Sequence, residues 1–304
     1  MDRRIEAAKI RNAVLLAVAA LIWGIAFVAQ SVAMDYIGPF TYNGIRSLIG
    51  GIVLIPVILI SDANKKKRGE YVKLWKKEKK NLIVGGVLCG ICICVASNLQ
   101  QAGIVGTDAG KAGFITALYI VIVPILGIFF KRKVSPVIWA CVAVATAGMY
   151  FLCVSDKMSL SSSDLLVLMC AVAFSVHILV IDHYSPLADG VKLSCIQFFV
   201  CGIITSILMF IFERPDINAI LSAYIPILYA GVLSCGVAYT LQIVGQKGLN
   251  PTVASLILSV ESVFSVFAGW IILGQTLTGR EIFGCALMFA AIIFAQLPIG
   301  KKKK

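Results

Sequence analysis

Long apolar runs separated by short polar segments dominate the chain, and their length decides what each can be. A helix needs roughly 20 mostly apolar residues to cross about 30 Å of hydrocarbon. Ten runs of this kind are present: Asn12–Met34, Pro39–Ile60, Asn81–Gln101, Ala109–Phe130, Pro136–Val154, Leu165–Ile181, Leu193–Phe212, Ile220–Gln242, Thr252–Leu273 and Ile282–Leu297. The sixth is short and carries His177, which makes it the weakest pattern of the set. The first follows Arg3, Arg4, Lys9 and Arg11 in the manner of a signal peptide, but it stays apolar too long and a second run follows at once, so it reads as a retained span. The pattern predicts an all-α membrane protein with ten transmembrane helices.

Composition narrows the picture further. The 304 residues are 60% hydrophobic and 14% charged, with a mean hydropathy of +0.95, which is more apolar surface than a single soluble core can bury. Sparse charge, aperiodic glycine and ten diluted cysteines exclude disorder, collagen and a disulfide scaffold. The net charge of +12 does not point to nucleic acid, because the basic residues form short clusters between apolar runs rather than a face interleaved with aromatics. Counted in alternate segments with both termini in the cytoplasm, 22 of the 27 Lys and Arg fall inside and four fall outside (Lys111, Lys157, Arg214 and Arg280). Arg46, within the second run, completes the set.

The chain also matches itself. At an offset of 145 residues the third to fifth runs align with the eighth to tenth, pairing Gly86, Val87 and Leu88 with Gly231, Val232 and Leu233. Gln101, Gly103, Thr107 and Ala109 pair with Gln246, Gly248, Thr252 and Ala254. A five-span unit crosses the membrane an odd number of times, so its second copy enters from the opposite side. The expected fold is therefore two inverted five-helix repeats, residues 1–155 and 156–304, with both termini cytoplasmic. Inverted repeats offer two near-equivalent packings, one open to each face, with a site near the midplane at the repeat interface.

Several segments resemble the EamA family of the drug/metabolite transporter superfamily. They are Leu21-Ile22-Trp23-Gly24, Arg46, the Gly103–Thr107 turn, the run Leu258-Ser259-Val260-Glu261-Ser262-Val263-Phe264, and Gly269-Trp270-Ile271-Ile272-Leu273-Gly274. The resemblance spans roughly residues 12–298. It implies efflux or exchange of amino acids or related metabolites. One departure is Gln275, where the family often has Glu after the Leu-Gly pair, and the equivalent position in the first repeat falls at Phe130 and Lys131.

Polar residues inside apolar runs are the candidates for function, since a charge at the bilayer centre costs about 2.5–3.5 kcal/mol on insertion scales. Glu261 is the only carboxylate deep in a run, with Ser265 one turn on; it is a structural clasp, a substrate contact or a proton carrier. Arg46 is the only deep basic residue, and its guanidinium fork suits a carboxylate, that of Glu261 or of a substrate. Asn98 and Gln101 on the third run, and Tyr239, Gln242 and Gln246 on the eighth, form polar stripes that either line a pathway or make interhelical hydrogen bonds. Thr116 and Tyr119 follow Lys111 on the fourth run, and Thr116 is the repeat partner of Glu261. Trp23 shares a helical face with Gln30 and joins the candidates, while Trp270 reads as an interfacial anchor. His177 is either a proton relay or a structural residue. The expected substrate pathway is thus Trp23, Arg46, Asn98, Gln101, Thr116, Tyr119, Tyr239, Gln242, Glu261 and Ser265.

Other chemistry is missing from the sequence. Cys89, Cys92 and Cys94 lack the second ligand pair of a tetrahedral metal site, and no nucleotide-binding loop or hydrolase motif is present, so neither a metal nor another cofactor is expected. The resulting expectation is not an enzyme but a secondary transporter of a small-molecule substrate, working by alternating access in the lipid bilayer of a bacterial plasma membrane, without nucleic acid. Proton coupling and a monomeric or homodimeric state both remain open. A lipid flippase is the alternative, distinguished by competition from headgroups; an intramembrane lipid-modifying enzyme would need further carboxylates at depth.

Overall fold

The computed structural model describes residues 2–69, 75–107, 109–129, 131, 134–153, 161–274 and 278–296. Gln275, Lys73 and the basic cluster 301–304 lie outside the described residues, as do the side chains of Lys111 and of residues 1–6. The described elements are α1 (Asp2–Ala33), α2 (Pro39–Lys67), α3 (Lys76–Ile104), α4 (Ala109–Ala117), α5 (Tyr119–Phe129), α6 (Pro136–Cys153), α7 (Ser162–Tyr184), α8 (Gly190–Phe212), α9 (Ile217–Ser222), α10 (Tyr224–Leu228), a π-helical segment (Tyr229–Ala238), α11 (Tyr239–Gln246), α12 (Pro251–Leu258), α13 (Glu261–Leu273) and α14 (Gly279–Gln296). A helix satisfies its backbone groups internally, which is what hydrocarbon demands.

Eight helical stretches among the described residues are long and apolar enough to cross a membrane: Ala7–Ala33, Pro39–Lys67, Lys76–Ile104, Ala112–Phe129, Ser162–Tyr184, Gly190–Phe212, Tyr224–Gln246 and Pro251–Ile272. A shorter apolar stretch covers Pro136–Phe151 within α6. The sixth run of the sequence, weak by pattern, is a full 23-residue helix, because a capping box extends it: Ser161 Oγ accepts from the Asp164 amide and Asp164 accepts from the Ser161 amide. Large apolar side chains such as Leu59, Phe210 and Ile271 lie exposed on the outside of the bundle, a surface suited to lipid.

Packing pairs helices from the two halves of the chain. The principal contacts are α2 with α8, α3 with α7, α6 with α14, and α1 with α13, α11 and the π segment. Small residues permit the crossings: a Cβ on Gly24 of α1 would collide with Phe264 Cβ of α13, and one on Gly148 of α6 would lie 2.8 Å from the Gly284 carbonyl of α14.

The antiparallel α2–α8 pair is fastened at both ends. At one end Glu213, just past α8, accepts from the Phe40 amide at 2.8 Å, the Thr41 amide at 2.7 Å and the Thr41 hydroxyl, capping the start of α2. At the other, Lys192 pairs with Asp62 at 2.8 Å and Lys65 with Asp189 at 3.2 Å. Thr41 and Lys192 are 151 residues apart, as are Asp62 and Glu213, so the two fastenings occupy equivalent positions in the two halves. Burial raises the Asp189 carboxyl, but the Lys192 amide and Lys65 ammonium outweigh it and hold the group below its ordinary value. Its contribution is therefore present at neutral pH and is lost as pH falls through the depressed folded value.

The fastenings differ in strength because their partners differ in exposure. Glu213→Ala should lower stability by about 1–3 kcal/mol, the cost of leaving paired amides without an acceptor. Lys65→Ala should cost less than about 1 kcal/mol, as exposed ion pairs do. Thermal unfolding of the purified protein in detergent checks the ranking, which equal shifts would remove.

Candidate functional site

Three interruptions of helix geometry converge on one place. In the fourth apolar run α4 ends at Ala117 and α5 starts at Tyr119, with i to i+3 bonds at the junction, where Leu118 N–H donates to the Ile115 carbonyl and Val121 N–H to the Leu118 carbonyl. The ninth apolar run breaks at Ser259 and Val260, where i to i+3 bonds from Val260 N–H to the Ile257 carbonyl and from Ser262 N–H to the Ser259 carbonyl interrupt the α pattern, and α13 starts at Glu261. The eighth apolar run carries ten residues of π-helix, Tyr229–Ala238, directly before Tyr239. Tyr119 and Glu261 are thus the first residues after their respective breaks, and the Tyr119 hydroxyl donates to Glu261 Oε1 at 2.9 Å. That bond joins the two halves of the chain and sets Glu261 in the first turn of α13, the favoured end for an acidic side chain.

Around this bond lies a cavity between helices of both halves. Its walls are Trp23, Phe27 and Gln30 of α1, Arg46 of α2, Gln100 of α3, Thr116 of α4, Tyr119 of α5, Phe174 and Ile178 of α7, Ser234 of the π segment, Tyr239 and Gln242 of α11, Leu258 of α12 and Glu261 of α13. Trp23 and Tyr239 stack in a tilted arrangement with centroids 4.5 Å apart, and Phe198 packs on Tyr239 from behind at 5.3 Å. Trp23 and Phe174 are 151 residues apart, as are Phe27 and Ile178, so α1 and α7 contribute equivalent positions. The buried atoms Trp23 Nε1, Gln30 Oε1 and Gln242 Oε1 have no hydrogen-bond partner among the described residues, an arrangement that calls for an explanation.

Arg46 is 4% exposed. Its Nε donates to Asn43 Oδ1 at 2.7 Å, and its guanidinium carbon sits 5.0 Å from the centre of the Tyr42 ring. Asn43 is in turn held by its Nδ2, which donates to the Ser97 carbonyl at 2.9 Å and to Asn98 Oδ1 at 3.1 Å. Asn98 Nδ2 donates to the Cys94 carbonyl and to Thr205 Oγ1 of α8, each at 2.8 Å. Among the described residues no carboxylate forms an ion pair with Arg46, Glu261 included.

The expected pathway residues therefore separate. Trp23, Arg46, Thr116, Tyr119, Tyr239, Gln242 and Glu261 line the cavity. Asn98, Gln101 and Ser265 do not. Asn98 lies one layer behind, in the network that holds Asn43. Gln101 Nε2 donates to the Gln30 carbonyl at 3.3 Å, and its repeat partner Gln246 donates to the Ile178 carbonyl at 3.5 Å, so both tie neighbouring helices. Ser265 donates to the Ser262 carbonyl at 2.8 Å and sits where α13 crosses Gly24. His177 is fully buried with Nε2 3.1 Å from Gln197 Oε1, beside the cavity rather than on its wall.

Sequence reasoning missed Phe27, Gln100, Phe174, Ile178, Ser234 and Leu258. The i, i+4, i+7 face of Trp23, Phe27 and Gln30 was a usable signal for the first of these. Gln100 had none, because the repeat match draws attention to its neighbour Gln101. Gln100 Nε2 donates to Thr116 Oγ1 at 3.2 Å.

The EamA-like transporter family matches the chain twice, over residues 11–154 and 161–296. An uncharacterized transporter of Archaeoglobus fulgidus is 30% identical over 291 residues, covering 93% of this chain and 85% of its own length. The uncharacterized transporter YoaV of Bacillus subtilis is 22% identical over 289 residues, covering 93% of this chain and 96% of its own. A solved crystal structure shares the fold with a TM-score of 0.74 at 17% identity, covering 93% of this chain and 96% of that one.

The tie assigned to the two glutamines is open to test. Gln101→Leu and Gln246→Leu should each lower thermal stability by about 0.6 kcal/mol, a typical interhelical hydrogen bond in a membrane, without changing the uptake rate per folded molecule. Lower uptake at unchanged stability would move them to the pathway.

Proposed function

We propose that this chain, which belongs to the EamA-like transporter family, is a secondary transporter that moves a small metabolite by alternating access, in efflux or exchange. The observation that carries the reading is a cavity lined by helices of both halves and edged by three interrupted segments. Helix breaks at membrane depth are tolerated where they line a cavity, and they supply hinges and exposed backbone dipoles there.

The proposed architecture has ten spans. Added to the eight long apolar stretches are α6 and α14, which pack on each other at the edge of the bundle. With both termini cytoplasmic, the Lys65–Arg68 cluster and Lys192 also face the cytoplasm, in keeping with the positive-inside rule. The halves, residues 1–155 and 156–304, act as inverted repeats; the equivalent fastenings of α2 and α8 and the equivalent wall positions of α1 and α7 support this. The proposed setting is a bacterial plasma membrane.

Amino acids or related compounds are the proposed substrates. A cavity with an aromatic wall, one guanidinium and one carboxyl suits a small molecule of mixed polarity. Glu261, with the Tyr119 hydroxyl as its side-chain partner, is the proposed proton carrier.

Counterflow in proteoliposomes tests the reading, with labelled amino acids and unlabelled amino acids, quaternary amines, nucleosides and sugar nucleotides as competitors. Competition by one amino-acid class is expected. Glu261→Gln should abolish the response to a pH gradient while leaving exchange intact, and an undiminished response would remove Glu261 from coupling.

A further inference from the structure

We propose that Arg46 is the docking group for a carboxylate carried by the substrate, with Asn43 as the residue that positions it. The proposal rests on the transport reading for the cavity but assigns a specific recognition to it. The sequence left two partners for the guanidinium, Glu261 or a substrate. The structure separates Arg46 from Glu261: no ion pair joins them, and Glu261 is engaged by Tyr119. Arg46 is nevertheless buried at the cavity wall, in a segment long and apolar enough to cross a membrane, where an unneutralised charge is expensive.

The way Arg46 is held fits this role. A guanidinium has five N–H donors in a planar fork. Asn43 takes the Nε donor and the Tyr42 ring lies against the group, and among the described residues no carboxylate pairs with the terminal nitrogens. Two parallel N–H groups match the two oxygens of a carboxylate. Asn43 cannot turn freely, because its own Nδ2 is committed to the Ser97 carbonyl and to Asn98, and Asn98 is committed to Thr205 across the repeat interface. The chain from Thr205 to Arg46 therefore fixes the direction of the fork before any ligand arrives, which lowers the ordering cost of binding.

Charge balance selects the anion. One guanidinium neutralises one carboxylate. A phosphate monoester, carrying about −1.5 to −2 at neutral pH, would leave excess negative charge in the cavity that also holds Glu261. The apolar walls of Trp23, Phe27 and Phe174 suit an apolar remainder.

The test uses purified full-length protein in phosphatidylcholine nanodiscs, with 3-phenylpropionate, phenylalanine, N-acetylphenylalanine, phenylalaninamide and phenethylamine as probes. Probes with a carboxylate should bind at least about 30-fold more tightly than those without, the lower range for a desolvated charged contact. Arg46→Lys, which keeps the charge and loses the fork, should remove most of that ratio while leaving the affinity for phenethylamine unchanged. Asn43→Ala should reduce the ratio in the same selective way, which a purely structural role would not do; thermal unfolding confirms that both variants are folded. Equal binding of phenylalanine and its amide, equal losses for all probes in Arg46→Lys, or no binding of any carboxylate probe would each overturn the proposal. So would suppression of binding when phosphatidylglycerol is added to the nanodisc, which would assign Arg46 to a lipid headgroup. Carboxylate-dependent binding without counterflow would leave the docking site standing and remove the transport reading. Counterflow of phenethylamine with no preference for carboxylates would do the reverse.

Discussion

In hydrocarbon a peptide group without a hydrogen bond has no water to turn to, so a membrane-spanning chain can leave regular helix only where it borders protein or a cavity. The rest of this structure follows from that constraint. Three apolar runs depart from α geometry, at Leu118, at Tyr229–Ala238 and at Ser259–Val260, and all three border the same space. The irregular backbone sets the chemistry of the site: Tyr119 and Glu261 open their half-helices, and Tyr239 follows the π segment, which shifts the register of every side chain after it.

A second consequence concerns the polar groups. Some buried polar side chains tie two helices and others face the cavity, and the two uses sit side by side. Gln100 and Gln101 are adjacent in sequence and take opposite roles, one reaching Thr116 at the cavity wall and the other reaching the Gln30 carbonyl of α1. Asn98 has a third place, behind the wall, where it governs Arg46 through Asn43. The network spans α2, α3 and α8, so the orientation of one cation depends on contacts from both halves.

Much of this was legible in the sequence because membrane proteins separate apolar from polar positions so strongly. The long runs mark the helices, and the lone charges Arg46 and Glu261 stand out against them. Trp23 and Tyr239 were legible as polar-tipped aromatics on faces shared with Gln30 and Gln242. What the sequence did not show was rotation about each helix axis. One residue of rotation separates Gln100 from Gln101, and apolar wall residues such as Phe27, Phe174 and Ile178 look like any other lipid-facing or core side chain. Ser265 shares a stripe with Glu261, yet the close approach of Gly24 turns that stripe into a crossing point. The breaks beside Glu261 were equally hidden, since Ser259 and Val260 carry no proline or glycine to announce them.

The two fastenings of α2 and α8 bear on how such a bundle can deform. A helix tied at one end can swing like a door, whereas a pair tied at both ends has no free edge. Glu213 holds the start of α2 and the Asp62–Lys192 pair holds the opposite end, so the two helices form a rod whose members cannot part without exposing charged or unpaired groups. The interrupted elements carry no such double fastening: the breaks at Leu118 and Ser259 lie in helices other than α2 and α8, so the continuous rod and the broken segments divide the bundle between a braced part and an unbraced one.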